Sequence, residues 1–206
     1  MMAMSMRCRG LSIFLGVLLC AAGDRPAAQA LLLEPVEVWC PSVLGVGVVT
    51  DVPFCDVQVQ VEPDLAIRVL LPPRRGEATL SFSLHNRHTY SQQEEESGRA
   101  YAQYLAAVAV ATMDGEIVGR GAVLSEFRTA ADLVDRVSGG AGGSGLRAVA
   151  PTGTERVVVA VPDDVDQLVI AGQSLEVVRG DGRDMVTGLG RPVATVSDVV
   201  LEYQAR

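Results

Sequence analysis

The chain has 206 residues, a formal net charge of −8 at pH 7 and few aromatic residues. Phosphate backbones and anionic surfaces need clustered positive charge, so this balance excludes nucleic-acid binding as a primary role. All seventeen lysine-or-arginine positions are arginine, which rules out a P-loop lysine, a Schiff-base lysine and a Ser–Lys dyad.

Residues 1–30 read as a secretory leader. "MMAMSMRCRG" carries Arg7 and Arg9 without an acid, "LSIFLGVLLCAA" is a short apolar run, and Ala28-Gln29-Ala30 is a small-x-small cleavage signal. The run is too short to span a bilayer, and no later stretch is long enough. A lipoprotein reading at Cys20 is disfavoured by Leu19 before it. The reading therefore predicts a leader over 1–30 and one domain over 31–206, periplasmic or secreted, with no membrane span after cleavage. Arg7, Arg9, Arg25 and Asp24 sum to +2, so cleavage takes the net charge from −8 to −10. Two cysteines remain, Cys40 and Cys55, and in an exported chain such a pair predicts a disulfide. Closing that loop would stabilise the fold by about 3 kcal/mol on the chain-entropy model. A redox or metal role lacks both the C-x-x-C spacing and a third ligand nearby. Trp39, beside Cys40, is expected to pack against the bridge.

Along the remaining chain, "VEVWC" (36–40), "DVQVQVE" (56–62) and "LAIRVLL" (65–71) alternate with the period of half-buried strands. "PPRRG" (72–76) reads as a turn or edge connection. "ATLSFSLHN" (78–86) alternates most cleanly, with Leu80, Phe82 and Leu84 on one face and Thr79, Ser81 and Ser83 on the other. Residues 105–127 read as a hairpin about Asp114-Gly115. "TAADLVDRVSGG" predicts a short helix over 129–138, with Thr129 as N-cap and Gly139 as stop. A glycine-rich loop follows, then strands at 155–161, 167–172, 175–180 and 192–203. The fold class is an all-β antiparallel sandwich, Ig-like or jelly-roll-like, with that one short helix.

"LHNRHTYSQQEEESGRAYAQY" (84–104) holds both histidines and three of the four tyrosines. Since Leu84 points inward, His85 is expected to point outward, and His88 to lie on the opposite face. The bland expectation is a solvated strand end leading into a polar loop. The sharper one is a binding surface made of His85, Arg87, His88, Tyr90, Tyr101 and Tyr104, residue types that interfaces favour, although the tyrosines equally suit packing at the sandwich edge. A metal-assisted or carboxylate-dependent hydrolase centred on His85 and His88 would require the chain to turn at Asn86-Arg87, so that Glu94–Glu96 could join them. Neither Ser174, which lacks the second glycine of a nucleophile elbow, nor the aspartates at 163–166 and 181–184, which lack the alternating calcium ladder, make a complete motif.

The final stretch, "GRPVATVSDVVLEYQAR", follows a cysteine pair and is similar to the last strand of chaperone-assembled pilus subunits, in which a glycine and a near-terminal tyrosine mark that strand. Here Gly190 and Tyr203 are thirteen apart and Tyr203 is fourth from the end rather than penultimate, a departure from the pattern. The resemblance implies assembly by strand addition at an open sheet edge. The expectation drawn from the whole chain is an exported, non-catalytic binding or structural module with no cofactor and no bound metal, acting on a protein partner or an envelope component; the hydrolase and the pilus-like subunit are the alternatives.

Overall fold

The computed structural model describes residues 30–59, 62–138, 147–151 and 154–206; the proposed leader, except for Ala30, and the glycine-rich tract after residue 138 lie outside the described residues. Fifteen strands account for most of the described chain. In chain order they are β1 (Leu32–Pro35), β2 (Glu37–Trp39), β3 (Val43–Gly47), β4 (Pro53–Gln58), β5 (Ile67–Leu70), β6 (Arg74–His85), β7 (His88–Tyr90), β8 (Ala102–Thr112), β9 (Ile117–Phe127), β10 (Leu133–Ser138), β11 (Arg147–Pro151), β12 (Glu155–Val161), β13 (Gln167–Arg179), β14 (Gly182–Val186) and β15 (Pro192–Ala205). One five-residue helix, α1 (Gln92–Glu96), is capped by the Ser91 side chain.

The strands form two antiparallel sheets. The first runs β12-β6-β15-β4-β3-β10-β11-β7, with β1 also on β15; the second runs β2-β5-β13-β8-β9, with β14 also on β13. Leu80, Phe82 and Leu84 of β6 enter a core between the sheets together with Val108 and Val110 of β8 and Leu168 and Ile170 of β13. The alternation read in the sequence is thus the packing of the molecule: one apolar face per strand, buried against the opposing sheet. Cys40, following β2, is bridged to Cys55 of β4 with Cα atoms 5.8 Å apart, so the disulfide ties one sheet to the other. Along the far edge, Gly119 and Gly121 of β9 lie against Val159 and Val157 of β12. A Cβ on either glycine would come within 2.6 Å of a valine methyl, so only glycine lets these edge strands approach.

Several expectations are corrected. The segment 129–138 is not a helix. Thr129 does cap, and Asp132 completes a capping box, but the helix is a single 3-10 turn at Ala130–Asp132 before β10 begins. The β-branched Val134 and Val137 are drawn into a tertiary contact, because β10 pairs with β3 and β11. "PPRRG" is only partly a turn, since β6 starts at Arg74. The stretches 167–172 and 175–180 are one strand, β13, whose register shifts at Gly172/Ser174 against β8. Trp39, beside the disulfide in sequence, is 40% exposed, with the Arg68 guanidinium 4.3 Å above its ring. The aspartates at 163, 164 and 166 act electrostatically on Arg74, a buried residue whose guanidinium donates to the carbonyls of Pro162 and Val165 in the same turn. A positive charge already answers that acidic turn.

The first sheet also coils. Since β7 follows β6 after two residues, the path from β6 through β15, β4, β3, β10 and β11 to β7 finishes on the chain segment where it started. Part of its second face is therefore covered, and a small cluster of Leu44, Phe54 and Val137 is buried there, while Val158 of β12 remains 61% exposed. Strand β15 pairs with β6 along one edge and with β4 and then β1 along the other. Tyr203 is buried, and its hydroxyl donates to Glu34 at 3.1 Å. The strand resembling a pilus terminus therefore has no edge left to accept another strand. Among the described residues no helix is long and apolar enough to cross a membrane.

One buried carboxylate organises the β3–β4 turn. Asp135 of β10 accepts from the amides of Val49 (3.1 Å) and Thr50 (2.7 Å) and from the Thr50 hydroxyl (2.7 Å). Burial alone would raise its pKa, but these hydrogen bonds outweigh it and hold the carboxyl below the usual range. Removing it strands the turn's donors while Val49 stays 83% exposed at the tip. Asp135→Ala is expected to cost about 1–3 kcal/mol in urea denaturation and to speed amide exchange at Val49 and Thr50. Unchanged exchange at those two amides would contradict this role.

Candidate functional site

The functional candidate begins at the break between β6 and β7, where four consecutive residues take four different surroundings. Asn86 is fully buried, and its side-chain amide donates across to the opposing sheet, to the carbonyls of Tyr104 (3.2 Å) and Val123 (3.1 Å) and to the Ser125 hydroxyl (2.8 Å). This tie turns the chain so that His85 stays on one side while Arg87 and His88 move to the other.

His85 points away from the main core, as its alternation requires, but not into water. It is 3% exposed, edge-on to Phe54 beneath the coiled part of the first sheet. The Ser197 hydroxyl donates to Asp198 at 3.1 Å, so it accepts from His85 Nε2 at 3.0 Å, and Nδ1 accepts from the Thr154 hydroxyl at 3.0 Å. A serine, a histidine and an aspartate are adjacent, yet the carboxylate meets the serine and not the imidazole, and Ser197 is buried. A triad requires the carboxylate on the imidazole and an accessible hydroxyl. This network is structural.

His88 is 6% exposed and packs on Tyr104 and Phe127, so the solvated strand end expected from the sequence is instead interior on both sides. The Tyr104 hydroxyl is hydrogen-bonded to His88 Nδ1, and the positive charge of Arg179 acts on both groups. Burial is the main cause of both imidazoles' pKa falling to about 4, with Arg179 adding to the effect at His88 and Asp198 opposing it at His85. Burial likewise pushes the Tyr104 hydroxyl up to about 12. The histidines are neutral at pH 7 and sit in different packing clusters. Among the described residues no group of three His, Cys, Asp or Glu side chains could hold a metal ion.

His88 and Tyr104 instead form the inner wall of a cleft of about 1190 Å³ at one end of the sandwich. Its floor is Ala100, Ala102, Leu175 and Val177, and its rim carries Arg87, Arg99, Arg179 and Arg191 alongside Glu94 and Asp181. Local structure sets the rim. Arg99 follows Gly98, which ends α1 at φ 71°, and Arg191 follows Gly190 at φ 70°. Both glycines adopt the left-handed conformation that side chains disfavour, turning the next residue toward the cleft. Arg87 is paired with Asp56 at 3.0 Å and Arg179 with Asp184 at 2.9 Å. Arg99 and Arg191 have no ion-pair partner among the described residues.

Of the six residues singled out in the sequence, Arg87, His88, Tyr101 and Tyr104 line this one cleft. His85 lies outside it, and Tyr90 is in β7 with its side chain outside the described residues. Tyr101 is half-buried, with the Arg128 guanidinium 5.0 Å from its ring centre. The sequence reading missed Arg99, Arg179 and Arg191. Their signal is an arginine beside a glycine at a turn, three times over, although nothing local says that those turns meet. No family model matches the chain, and neither does any curated protein or solved structure.

The histidines make a pH prediction. Their folded pKa of about 4 lies below the ordinary 6.5, so between those values the unfolded chain binds protons that the folded chain refuses. Their stabilising contribution is complete above pH 6.5 and is lost as pH falls toward 4, about 3 kcal/mol for each group. Urea midpoints should drop across this window, and a His85→Gln/His88→Gln variant should show a flatter profile. A wild-type midpoint that holds constant from pH 6.5 to 4.5 would contradict the burial assigned to both rings.

Proposed function

We propose that the chain is an exported, non-catalytic binding module that recognises a negatively charged component of the cell envelope or its surroundings in the cleft between the ends of its two sheets. The observation that carries this reading is the gathering of four arginines on one cleft in a chain whose net charge is −8. Guanidinium forks suit carboxylate and phosphate, which they bind through paired donors, and two of the four have no ion-pair partner among the described residues. The cleft is also of the size at which proteins hold small ligands, roughly 300–1,000 Å³ or a little above. Export is supported by the leader pattern of residues 1–30 and by a Cys40–Cys55 bridge, which persists in oxidising compartments.

The test is recovery of the native protein with whatever travels with it. Wild type, Arg99→Glu/Arg191→Glu and Arg75→Glu are purified in parallel under native conditions, and the bound material is identified by mass spectrometry. The cleft variant should lose a component that wild type and Arg75→Glu, changed at the exposed start of β6, both retain. Equal recovery from all three would remove the cleft as the recognition site.

A further inference from the structure

The polar groups of the cleft are not distributed evenly with depth. Its inner polar atoms are answered within the protein: the Tyr104 hydroxyl is hydrogen-bonded to His88 Nδ1, and the Arg179 guanidinium is paired with Asp184. Below them the floor is continuous with the main core, since Ala100, Ala102, Tyr104, Leu175 and Val177 all belong to the buried apolar cluster between the sheets, with Val186 packed against it. Alanine at 100 and 102 leaves short side chains where the core meets the opening. Positive charge without an ion-pair partner among the described residues lies at the exposed rim, at Arg99 and Arg191, on the same cleft as the carboxylates of Glu94 and Asp181.

We infer, on the basis of the cleft reading above, that the ligand is an amphiphilic anion: an apolar body that extends the core at its open end and a carboxylate or phosphate head held by Arg99 and Arg191. A purely polar anion would leave the half-buried apolar side chains of the lining, Tyr101, Val186 and Pro192, wet, and a purely apolar ligand would leave two guanidinium groups unanswered beside them. The shared head chemistry could come from a free amphiphile or from a bilayer headgroup. The chain's net charge of −8 opposes approach to an anionic bilayer surface, so the source is the free molecule.

Calorimetry on the full chain without its first thirty residues tests this, using decanoate and decyl phosphate below their micellar concentrations. Acetate, inorganic phosphate, decanol and a hexaglutamate peptide serve as comparisons. Decanoate and decyl phosphate should bind, each at least about tenfold more tightly than any comparison compound. Arg99→Gln/Arg191→Gln should weaken both by about tenfold or more, the loss expected for hydrogen bonds to a charged group, whereas Arg75→Gln should leave them unchanged. Thermal unfolding of each variant checks that the fold is intact. Decanol or acetate binding as tightly as decanoate, hexaglutamate binding more tightly, binding seen only on vesicles carrying phosphatidic acid, or indifference to the rim variant would each overturn the inference. If no amphiphile binds while co-purification still depends on Arg99 and Arg191, the amphiphile falls and the cleft stands.

Discussion

A single buried amide holds the cleft end of this molecule in place. Asn86 sits between the two histidines and spends both side-chain hydrogens on three acceptors of β8 and β9. Those strands belong to the opposite sheet from β6. Carbonyl oxygens buried beside the core need a partner, and the Asn86 amide supplies one to Tyr104 and Val123. The cross-tie has a directional consequence. It fixes where β6 stops, so His85 remains under the coiled face of its own sheet while Arg87 and His88 are delivered to the gap between the sheets. The cleft, its neutral His88–Tyr104 wall and the position of Arg87 against Asp56 all follow from that break.

The cleft is an end of the core left open rather than a hole cut into it. Strands β8 and β13 run the length of the second sheet, paired from Leu168–Thr112 to Arg179–Ala102, and carry inward residues to the mouth of the sandwich. The cover there comes from irregular chain instead: α1 and its glycine exit, the break after β6, and the approach to β15. Such segments carry arginines readily because their side chains reach water. Apolar floor and cationic rim are therefore a geometric outcome of sheet ends meeting loops, and the chain has placed arginine at all three glycine-flanked turns that meet there.

Much of the fold was legible because period-two alternation is a direct record of one-sided burial. "ATLSFSLHN" showed which side chains of β6 enter the core, Asp114-Gly115 marked the β8–β9 turn, and Cys40 and Cys55 declared their bridge. Alternation shows which face a residue takes but not whether that face is covered, and here two misreadings were one. Reading 133–138 as helix removed β10 from the first sheet, and with it Val137 and the coil that buries Phe54 and His85. Without that cover, His85 had to look solvated. The capping box at Thr129 was a true local signal, but it specifies where a turn starts and not how far it propagates once β-branched residues find strand partners. Arg99, Arg179 and Arg191 were illegible for a different reason: they are far apart in sequence, and only the order of strands in two sheets brings them to one rim.

The most direct test of the cross-tie is amide hydrogen exchange on Asn86→Ala compared with wild type. Selective loss of protection at His88–Tyr90 and Ala102–Tyr104, with Leu80–Leu84 still protected against β12, is what this account predicts. Uniform loosening of both sheets, or no change on either side of the break, would contradict it.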